Sequence, residues 1–327
     1  MVPKAMPSKR VTFFGSLAKL TGAGIPIREA GDLLLAHSKD PAVREAVNVL
    51  EHGLARGLSI AESLRPALTP LEYGMVTAAE NGGRLAEGFQ HLESYYELLH
   101  QTRASMVRGI IYPLLILHVA SATTGVVANL NGGSPLMAML HAFAWLWVAL
   151  GSIAIVAILC IKAAAHSSLA DGVLRSLPIV RGVWSSLALA RWYAVLHFHV
   201  LSAQKFSTAL EDAAAAAASA RLSRASHRMA KIAEQGQTVS GTMKFESVFP
   251  GHATLSFATA EATGTLDTET AMQMRASMEQ ARRAANTAGE WLPRLLYIAA
   301  LLYGAWHVLQ LAGAIGGQYM KALNGEF

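Results

Sequence analysis

The amino-acid sequence predicts an all-α integral membrane protein with two homologous cytoplasmic helical bundles and three transmembrane helices. Three observations support this fold class. Charged residues make up only 15% of the chain, whereas about 25% is usual in soluble domains. Two long stretches, Gly109 to Ile161 and Leu295 to Met320, contain no Lys, Arg, Asp or Glu. A motif that combines a glutamate with a glycine occurs once in each half of the chain.

The uncharged stretches contain three segments long enough to cross a membrane. A bilayer core of about 30 Å requires about 20 apolar residues in a helix. Residues 109–130 and 138–161 satisfy this requirement and are separated by a turn-rich loop, so they predict a transmembrane hairpin. Residues 291–317 predict the third span. Pro113 is expected near the start of the first span, where a missing N–H costs a helix little.

The positions of the basic residues predict the orientation of these spans. The loop between the first two spans contains no Lys or Arg, whereas basic residues flank the opposite ends of the spans. These flanking residues are Arg103, Arg108, Lys162, Arg175, Arg181, Arg282, Arg283 and Arg294. Because basic residues concentrate on the cytoplasmic side, residues 1–108 and 162–290 should form two cytoplasmic domains. The loop and the tail at 318–327 should lie on the other side.

The repeated motif indicates that a whole domain was duplicated. Its form is Glu-x-x-Gly-x-Leu, with Glu80, Gly83 and Leu85 in the first copy and Glu261, Gly264 and Leu266 in the second. Further landmarks recur in the same order, including Gly57 and Gly236. A repeat with so long a period is not a short-repeat solenoid. Apolar residues at three- and four-residue spacing, and alanine-rich stretches, predict that both copies are helical.

The motifs and their order resemble those of the type II secretion F / type IV pilus inner-membrane platform protein family. "AGIPIREA", with Gly24 and Pro26, is similar to the family's first turn, "RGLSIAESL" to its next motif, and "AENGGRL" to its acid–glycine motif. The segment that leads into the second copy adds Pro178, Gly182 and Arg191. The second copy departs from the pattern, because Ala203, Gln204 and Lys205 replace the Gly-hydrophobic-Pro turn.

The resemblance implies a non-enzymatic platform protein of the bacterial inner membrane. The N-terminus would be cytoplasmic, and the short loop and the C-terminal tail would be periplasmic. The implied partners are a hexameric assembly ATPase, pilins or pseudopilins, other inner-membrane assembly proteins and further copies of the chain. Movement of the ATPase would reach the cytoplasmic bundles, and the spans would help to move a pilin into the filament. No cofactor is implied.

Two other function classes remain as alternatives. A small membrane transporter is disfavoured by the small number of spans and their uncharged interior. A membrane-tethered enzyme would use Glu80 and Glu261, which could form an acid–base pair or a hard-cation site. The other interpretation is that each glutamate caps or bridges a helix–turn–helix, so that replacement by Gln leaves the fold largely intact.

No other catalytic, cofactor or metal site is expected. "GQTVSGTM" has Thr242 at the position of a Walker lysine, so it should not bind ATP. His197 and His199 are two residues apart and should lie on different faces of a helix. The single cysteine, Cys160, excludes an internal disulfide and a multi-cysteine metal site.

The net charge of +5 does not indicate a nucleic-acid partner. Acidic and basic residues are interspersed in both polar segments, as on ordinary solvated surfaces, and the basic residues beside the spans fit anionic lipid. Arg221, Arg224 and Arg228 should share one face of a helix. They form either a solvated face or an electrostatic surface for the ATPase.

Overall fold

The computed structural model describes residues 7–165, 167–244 and 246–323, and these residues form α-helices, a short 3₁₀ helix (Arg65–Ala67) and no strand. The helices are α1 (Pro7–Gly22), α2 (Ile27–His37), α3 (Pro41–Ala55), α4 (Ile60–Leu64), α5 (Pro70–Asn81), α6 (Leu85–Leu130), α7 (Pro135–Ala163), α8 (Ser168–Ser176), α9 (Pro178–Leu201), α10 (Phe206–Ala217), α11 (Ala220–Glu234), α12 (Val239–Met243), α13 (Gly251–Thr263) and α14 (Leu266–Leu323). Residues 1–6 and 324–327, which belong to the expected first domain and the expected tail, lie outside the described residues.

The chain divides into two compact units. The first, the bundle unit, comprises Met1–Gln101 and Ala163–Ala285, and the second, the span unit, comprises Thr102–Lys162 and Asn286–Phe327. The two long helices α6 and α14 each begin in the bundle unit and end in the span unit. The positions of the bundle–span boundaries expected from the charge pattern, 108/109 and 290/291, remain predictions.

The internal repeat comprises six helices in each copy. Helices α1 to α6 match α9 to α14 in order and in approximate length, including a five-residue helix, α4 or α12, in the middle of each copy. The repeat therefore includes the long apolar helix that follows each bundle. Helices α7 and α8 lie between the two copies in the chain and have no counterpart.

The two copies share one hydrophobic core in the bundle unit. Phe14 and Leu17 of the first copy belong to the same buried cluster as Trp192 and Tyr193 of the second. Helix α5 packs against α9 and α10, and a Cβ at Gly74 of α5 would be in ordinary van der Waals contact with Val195, at 3.4 Å. The duplicated bundles are thus two halves of one packed structure.

Within the described residues, three helices are long and apolar enough to cross a membrane, namely α6, α7 and α14, whose most apolar windows have mean hydropathies of 1.8, 2.5 and 1.6. The chain is therefore an all-α membrane protein, as the sequence predicts. The expectation for Pro113 is wrong, because α6 begins at Leu85 and Pro113 lies inside it. A change from charged to apolar residues shows where a helix passes from water into the membrane. It need not be the point at which the helix begins. Proline is tolerated inside membrane helices because neighbouring groups satisfy the freed carbonyl.

The repeat extends into the packing of the span unit, a feature that the sequence analysis missed. Gly109 and Pro113 on α6 have counterparts in Gly289 and Pro293 on α14, with the same spacing between glycine and proline but one residue nearer to the start of the helix. Gly109 lies directly against the ring of Pro293, and a Cβ at Gly289 would lie 3.2 Å from the Ser105 hydroxyl. The two glycines therefore permit the close crossing of α6 and α14.

Replacing Gly109 by Ala should destabilise the span unit by about 1–3 kcal/mol, the usual cost of overpacking. The added methyl group would collide with Pro293, whose ring cannot rotate away. Thermal inactivation of the full chain in detergent measures this effect. Gly151→Ala is the matched control, because a Cβ at this helical glycine of α7 has open space around it. Equal stability of the Gly109→Ala and Gly151→Ala variants would contradict the close crossing of α6 and α14 at Gly109.

Candidate functional site

Glu80, on α5, binds the start of another helix. Its two carboxylate oxygens each accept one backbone hydrogen bond, from the N–H of Ile60 at 2.7 Å and from the N–H of Ala61 at 2.9 Å. Ile60 and Ala61 are the first two residues of α4. The carboxylate therefore ties α5 to the N-terminus of α4 within the first copy.

These bonds complete the hydrogen bonding of the first turn of α4. The first N–H groups of a helix have no partner within it. Glu80 satisfies the first two, and the hydroxyl of Ser59 accepts from the third, Glu62, at 3.2 Å. A five-residue helix is too short to be stable by itself, and a negative charge at its N-terminus is favourable. We therefore regard Glu80 as the group that fixes α4 in place.

Glu261 makes the same arrangement in the second copy. Its carboxylate accepts from the backbone N–H groups of Val239 and Ser240, the first two residues of α12, the latter at 2.9 Å. The Ser240 hydroxyl donates a further bond at 2.5 Å. Thr238 takes the role of Ser59 and accepts from Gly241 at 3.1 Å. Each glutamate thus binds a separate short helix of its own copy.

The glycines of the repeated motif form the turns that follow the glutamates. Gly83 and Gly264 have φ values of +67° and +72°, a backbone conformation that residues other than glycine rarely adopt. The N–H of Arg84 bonds the carbonyl of Ala79, and the N–H of Thr265 bonds that of Ala260, as in the Schellman helix ending. These turns lead into Leu85 and Leu266, which begin α6 and α14.

Replacing Gly83 or Gly264 by Val should lower the stability of the bundle unit by about 1–3 kcal/mol, the cost of holding an unsuitable residue in this conformation. A Cβ at either position has open space, so the penalty arises from the backbone and not from a collision. Asn is the matched control, because it tolerates this conformation better than other residues. Protease sensitivity in membranes reports the loss. Val variants as resistant as Asn variants would contradict the prediction.

The other glycine and proline positions of the family pattern also form turns and helix starts. Gly24 has a φ of +82° and Pro26 directly precedes α2. In the second copy Ala203 takes the place of Gly24 and keeps a positive φ of +49°. The turn is thus retained where its glycine is lost. Gly57 and Gly236 form the turns before α4 and α12, with φ of +76° and +82°.

Pro178, Gly182 and Arg191 lie along α9. Pro178 is its first residue, where no N–H is needed. A Cβ at Gly182 would lie 3.5 Å from Ala284, so this glycine lies close to α14. Arg191 donates to the carbonyl of Ala217, at the end of α10, at 2.8 Å, and to the Tyr95 hydroxyl of α6 at 3.3 Å. Arg191 therefore connects the two copies.

The three arginines of α11 are exposed, but they differ in their contacts. Arg228 forms two hydrogen bonds of 2.7 Å with the carboxylate of Glu246. Arg221 donates to the Ser247 hydroxyl at 3.0 Å, and Arg224 donates to the carbonyl of Ala220 at 3.1 Å. Charge reversal at Arg228 would therefore disturb local structure, whereas Arg221 and Arg224 remain available for a surface test.

The two histidines of α9 have different partners. His197 lies 3.0 Å from the Thr270 hydroxyl, and His199 lies 3.0 Å from a carboxylate oxygen of Asp212. Burial, with a smaller contribution from Arg275, lowers the pKa of His197. Across the described residues, no group of three His, Cys, Asp or Glu side chains is arranged to hold a metal ion.

Comparison with known proteins finds a match for the first copy of the repeat, including its long helix α6. Residues 13–130 match the family model described as Type II secretion system (T2SS), protein F. Residues 13–130 are therefore similar to protein F of type II secretion systems. The matched residues begin within α1 and end at the last residue of α6. The family resemblance predicted from the motifs is thereby confirmed.

Comparison with individual relatives extends the similarity beyond residues 13–130. "Type IV pilus assembly protein PilC" of Pseudomonas aeruginosa is 24% identical over 289 residues, which are 81% of this chain and 77% of that protein. "Type II secretion system protein F" of Xanthomonas campestris pv. campestris is 30% identical over 112 residues, or 33% of this chain. The protein of the same name from Aeromonas hydrophila is 30% identical over 107 residues, or 32% of the chain. The chain matches 28% of the length of each of these two secretion proteins.

Proposed function

We propose that this chain is the inner-membrane platform protein of a type IV pilus or type II secretion machine. In this role it couples a cytoplasmic assembly ATPase to the insertion of pilins or pseudopilins into a filament. The observation that carries the proposal is the match of residues 13–130 to protein F, supported by the similarity to PilC over 81% of the chain. The three apolar helices fit a protein that meets pilins within the membrane.

The helices suggest how movement would reach the membrane. Helices α6 and α14 continue without a break from the buried core of the bundle unit into apolar segments. Coupling between distant sites is carried by rigid secondary elements. A displacement of the bundle unit by an ATPase subunit would therefore act on the same two helices that cross the bilayer. The duplicated bundle offers two related surfaces to a partner with repeated subunits.

A non-enzymatic role fits the environment of the repeated glutamates better than catalysis does. A general base needs a free oxygen within reach of its substrate. Both carboxylates instead accept backbone N–H groups from α4 or α12 within their own copy. This arrangement supports a structural role for Glu80 and Glu261 and weakens the alternative of a membrane-tethered enzyme.

The proposed location is the bacterial inner membrane, with both halves of the bundle unit in the cytoplasm. The expected topology follows from the basic residues beside the spans. A reporter fused at Gly132, between α6 and α7, should read as periplasmic, and one fused near Gly236 should read as cytoplasmic. Activity of an alkaline phosphatase fusion, which requires the periplasm, distinguishes the two sides. The reverse pattern would contradict the orientation.

Retention of partners by the purified full chain tests the function. We expect the chain in detergent to retain both the hexameric ATPase and pilins from its own cells. A chain that retains neither would contradict the platform role. The combined variant Arg221→Glu and Arg224→Glu should weaken ATPase retention and leave the fold intact, because both side chains are exposed. Arg56→Glu, at an exposed arginine of the first copy, is the matched control. If the double variant retains the ATPase as well as the unmodified chain does, the α11 face is not part of the interface with the ATPase.

A further inference from the structure

Helix α8 carries an apolar stripe on its exposed side. Leu169, Val173 and Leu177 are 82%, 50% and 49% exposed. They follow one another at intervals of four residues, with Leu177 directly after the last residue of the helix, so they lie on one side. Single exposed apolar residues are ordinary on protein surfaces. Two on this nine-residue helix and one directly after it form a continuous surface.

The acidic residue of α8 points in the opposite direction and holds the helix in this orientation. Asp171 is only 2% exposed. Its carboxylate accepts from the Trp184 indole at 2.6 Å, from the Ser219 hydroxyl at 3.2 Å and from the backbone N–H of Arg221 at 3.2 Å. Helices of a soluble surface bury their apolar side and expose their charges. Helix α8 does bury Leu174, but it also buries its acidic residue and exposes an apolar stripe, so its exposed side is not that of a helix that faces water.

We propose that α8 lies in the interfacial layer of the bilayer, with Leu169, Val173 and Leu177 inserted among the lipids. The chain connectivity supports this occupant, because four residues separate the end of α7, which is apolar enough to cross the membrane, from the start of α8. An apolar face inserted at the boundary of headgroups and acyl chains is the usual arrangement of interfacial helices.

The charges around the stripe favour anionic lipid headgroups. From Ser168 to Arg181 the charged residues are Asp171, Arg175 and Arg181, and the one acid is buried. Arg181 is exposed, and Arg175 lies 3.5 Å from the buried carboxylate. Basic residues next to a membrane are attracted to anionic headgroups. The exposed charge beside the stripe is thus complementary to such a surface.

The short connection to α7 compensates for the small size of the helix. Three apolar side chains on two helical turns would bind a membrane weakly if the helix were free. A linker of a few residues makes binding intramolecular and raises the effective concentration of the membrane surface. The inference does not depend on the platform function, since it requires only that α7 crosses the bilayer.

Depth measurements on the full chain test the proposal. Cys160 is replaced by Ala, and a single cysteine at Leu169 or Val173 carries a polarity-sensitive fluorophore. The protein is reconstituted in vesicles of phosphatidylcholine mixed with phosphatidylglycerol, some of whose lipids carry a nitroxide quencher. We expect blue-shifted emission and severalfold stronger quenching than for Leu255→Cys, an exposed leucine of α13 in the same unit. Equal quenching at all three positions, or water-like emission at Leu169 and Val173, would overturn the proposal.

A charge variant separates lipid insertion from contact with a protein partner. Leu169→Glu combined with Leu177→Glu should abolish the quenching of a fluorophore at Val173, because carboxylates do not enter the interface beside anionic lipids. Leu255→Glu in place of these changes should leave it unchanged. Quenching should also be weaker in vesicles of phosphatidylcholine alone. Persistent quenching in the double variant would overturn insertion, and equal quenching in both lipid mixtures would overturn the role of anionic headgroups.

Discussion

Glu80→Ala should destabilise the bundle unit by about 3 kcal/mol, since hydrogen bonds to charged groups contribute about 1.5–3 kcal/mol each. The change leaves the N–H groups of Ile60 and Ala61 without their carboxylate partner at the start of a five-residue helix. Helix α4 should then separate from α5. Protease sensitivity and thermal inactivation of the full chain measure the effect. Glu261→Ala should act in the same way on α12.

Replacement of Glu80 or Glu261 by Gln should destabilise the bundle unit more than the sequence motif alone predicts. Each oxygen of Glu80 accepts a different backbone N–H. In Gln one of these oxygens is replaced by an amide NH₂, which cannot accept a hydrogen bond. One N–H of α4 is then left facing another donor. We therefore expect Glu80→Gln to lose about 1.5–3 kcal/mol, the contribution of one charge-assisted bond.

Glu87→Ala is the control for the loss of a glutamate. Glu87 lies on α6 and pairs with Arg84 at 3.2 Å, with both side chains about half exposed. Such surface pairs contribute about 0.2–1 kcal/mol at most. If the Glu80→Ala and Glu87→Ala variants are equally stable, the hydrogen bonds from Glu80 to α4 do not hold the bundle unit together.

The repeated motif predicted the turns but not the partners of its glutamates. Few residues other than glycine adopt a positive φ, so Gly83 and Gly264 reveal the two turns in the sequence itself. The bond from Glu80 to Ile60 spans twenty residues and depends on how α5 packs against α4. Such packing leaves no periodic signal in the sequence, so the motif indicated only a cap or bridge at its own turn.

Other features differ in how visible they are in the sequence. The matching of Gly109 and Pro113 with Gly289 and Pro293 could have been found by comparing the two apolar segments with a shift of one residue relative to the repeated motif. The interactions of Asp171 could not, because its partners come from α9 and α11 and share no motif with it. The start of α6 at Leu85 was missed for a third reason, namely that hydropathy reports the solvent and not the helix boundary.

Arg10→Met should cause the largest loss of stability, about 3–5 kcal/mol at neutral pH, because breaking a buried ion pair leaves an uncompensated charge. Arg10 lies 3.1 Å from a carboxylate oxygen of Glu72, whose side chain is fully buried. The guanidinium also donates to the carbonyl of Ala67 at 2.9 Å. Chemical denaturation of the purified full chain measures the change.

Lys9→Met is the matched control for this variant. Lys9 is the adjacent residue on α1 and pairs with Asp40 at 3.1 Å, but its side chain is 41% exposed. The cost of losing this pair should be about 1 kcal/mol or less, as for other surface ion pairs. A loss for Arg10→Met as small as that for Lys9→Met would contradict the buried position of the Arg10–Glu72 pair.

The loss caused by Arg10→Met should depend on pH in a direction that the burial of Glu72 determines. Burial raises the pKa of the Glu72 carboxyl, and the charge of Arg10 acts in the opposite direction. Without Arg10 the pKa of Glu72 in the native state should rise further. A raised pKa means that the native state binds the proton more tightly than the unfolded state does, so stability falls as pH increases through the raised value. The deficit of Arg10→Met relative to the wild type should therefore be small near about pH 4, the usual range of a glutamate, and large at neutral pH.

A double variant separates the charge of Glu72 from its role in helix capping. Glu72 also accepts from the backbone N–H of Thr69 at 2.6 Å, as part of the capping box that begins α5. Glu72→Gln removes the charge and retains an oxygen that can accept this bond. Arg10→Met combined with Glu72→Gln should thus regain most of the stability lost at neutral pH, and its deficit should no longer depend on pH. If the double variant is as unstable as Arg10→Met at neutral pH, the loss arises from the packing and the Ala67 bond of Arg10, and the unpaired carboxylate is not its cause.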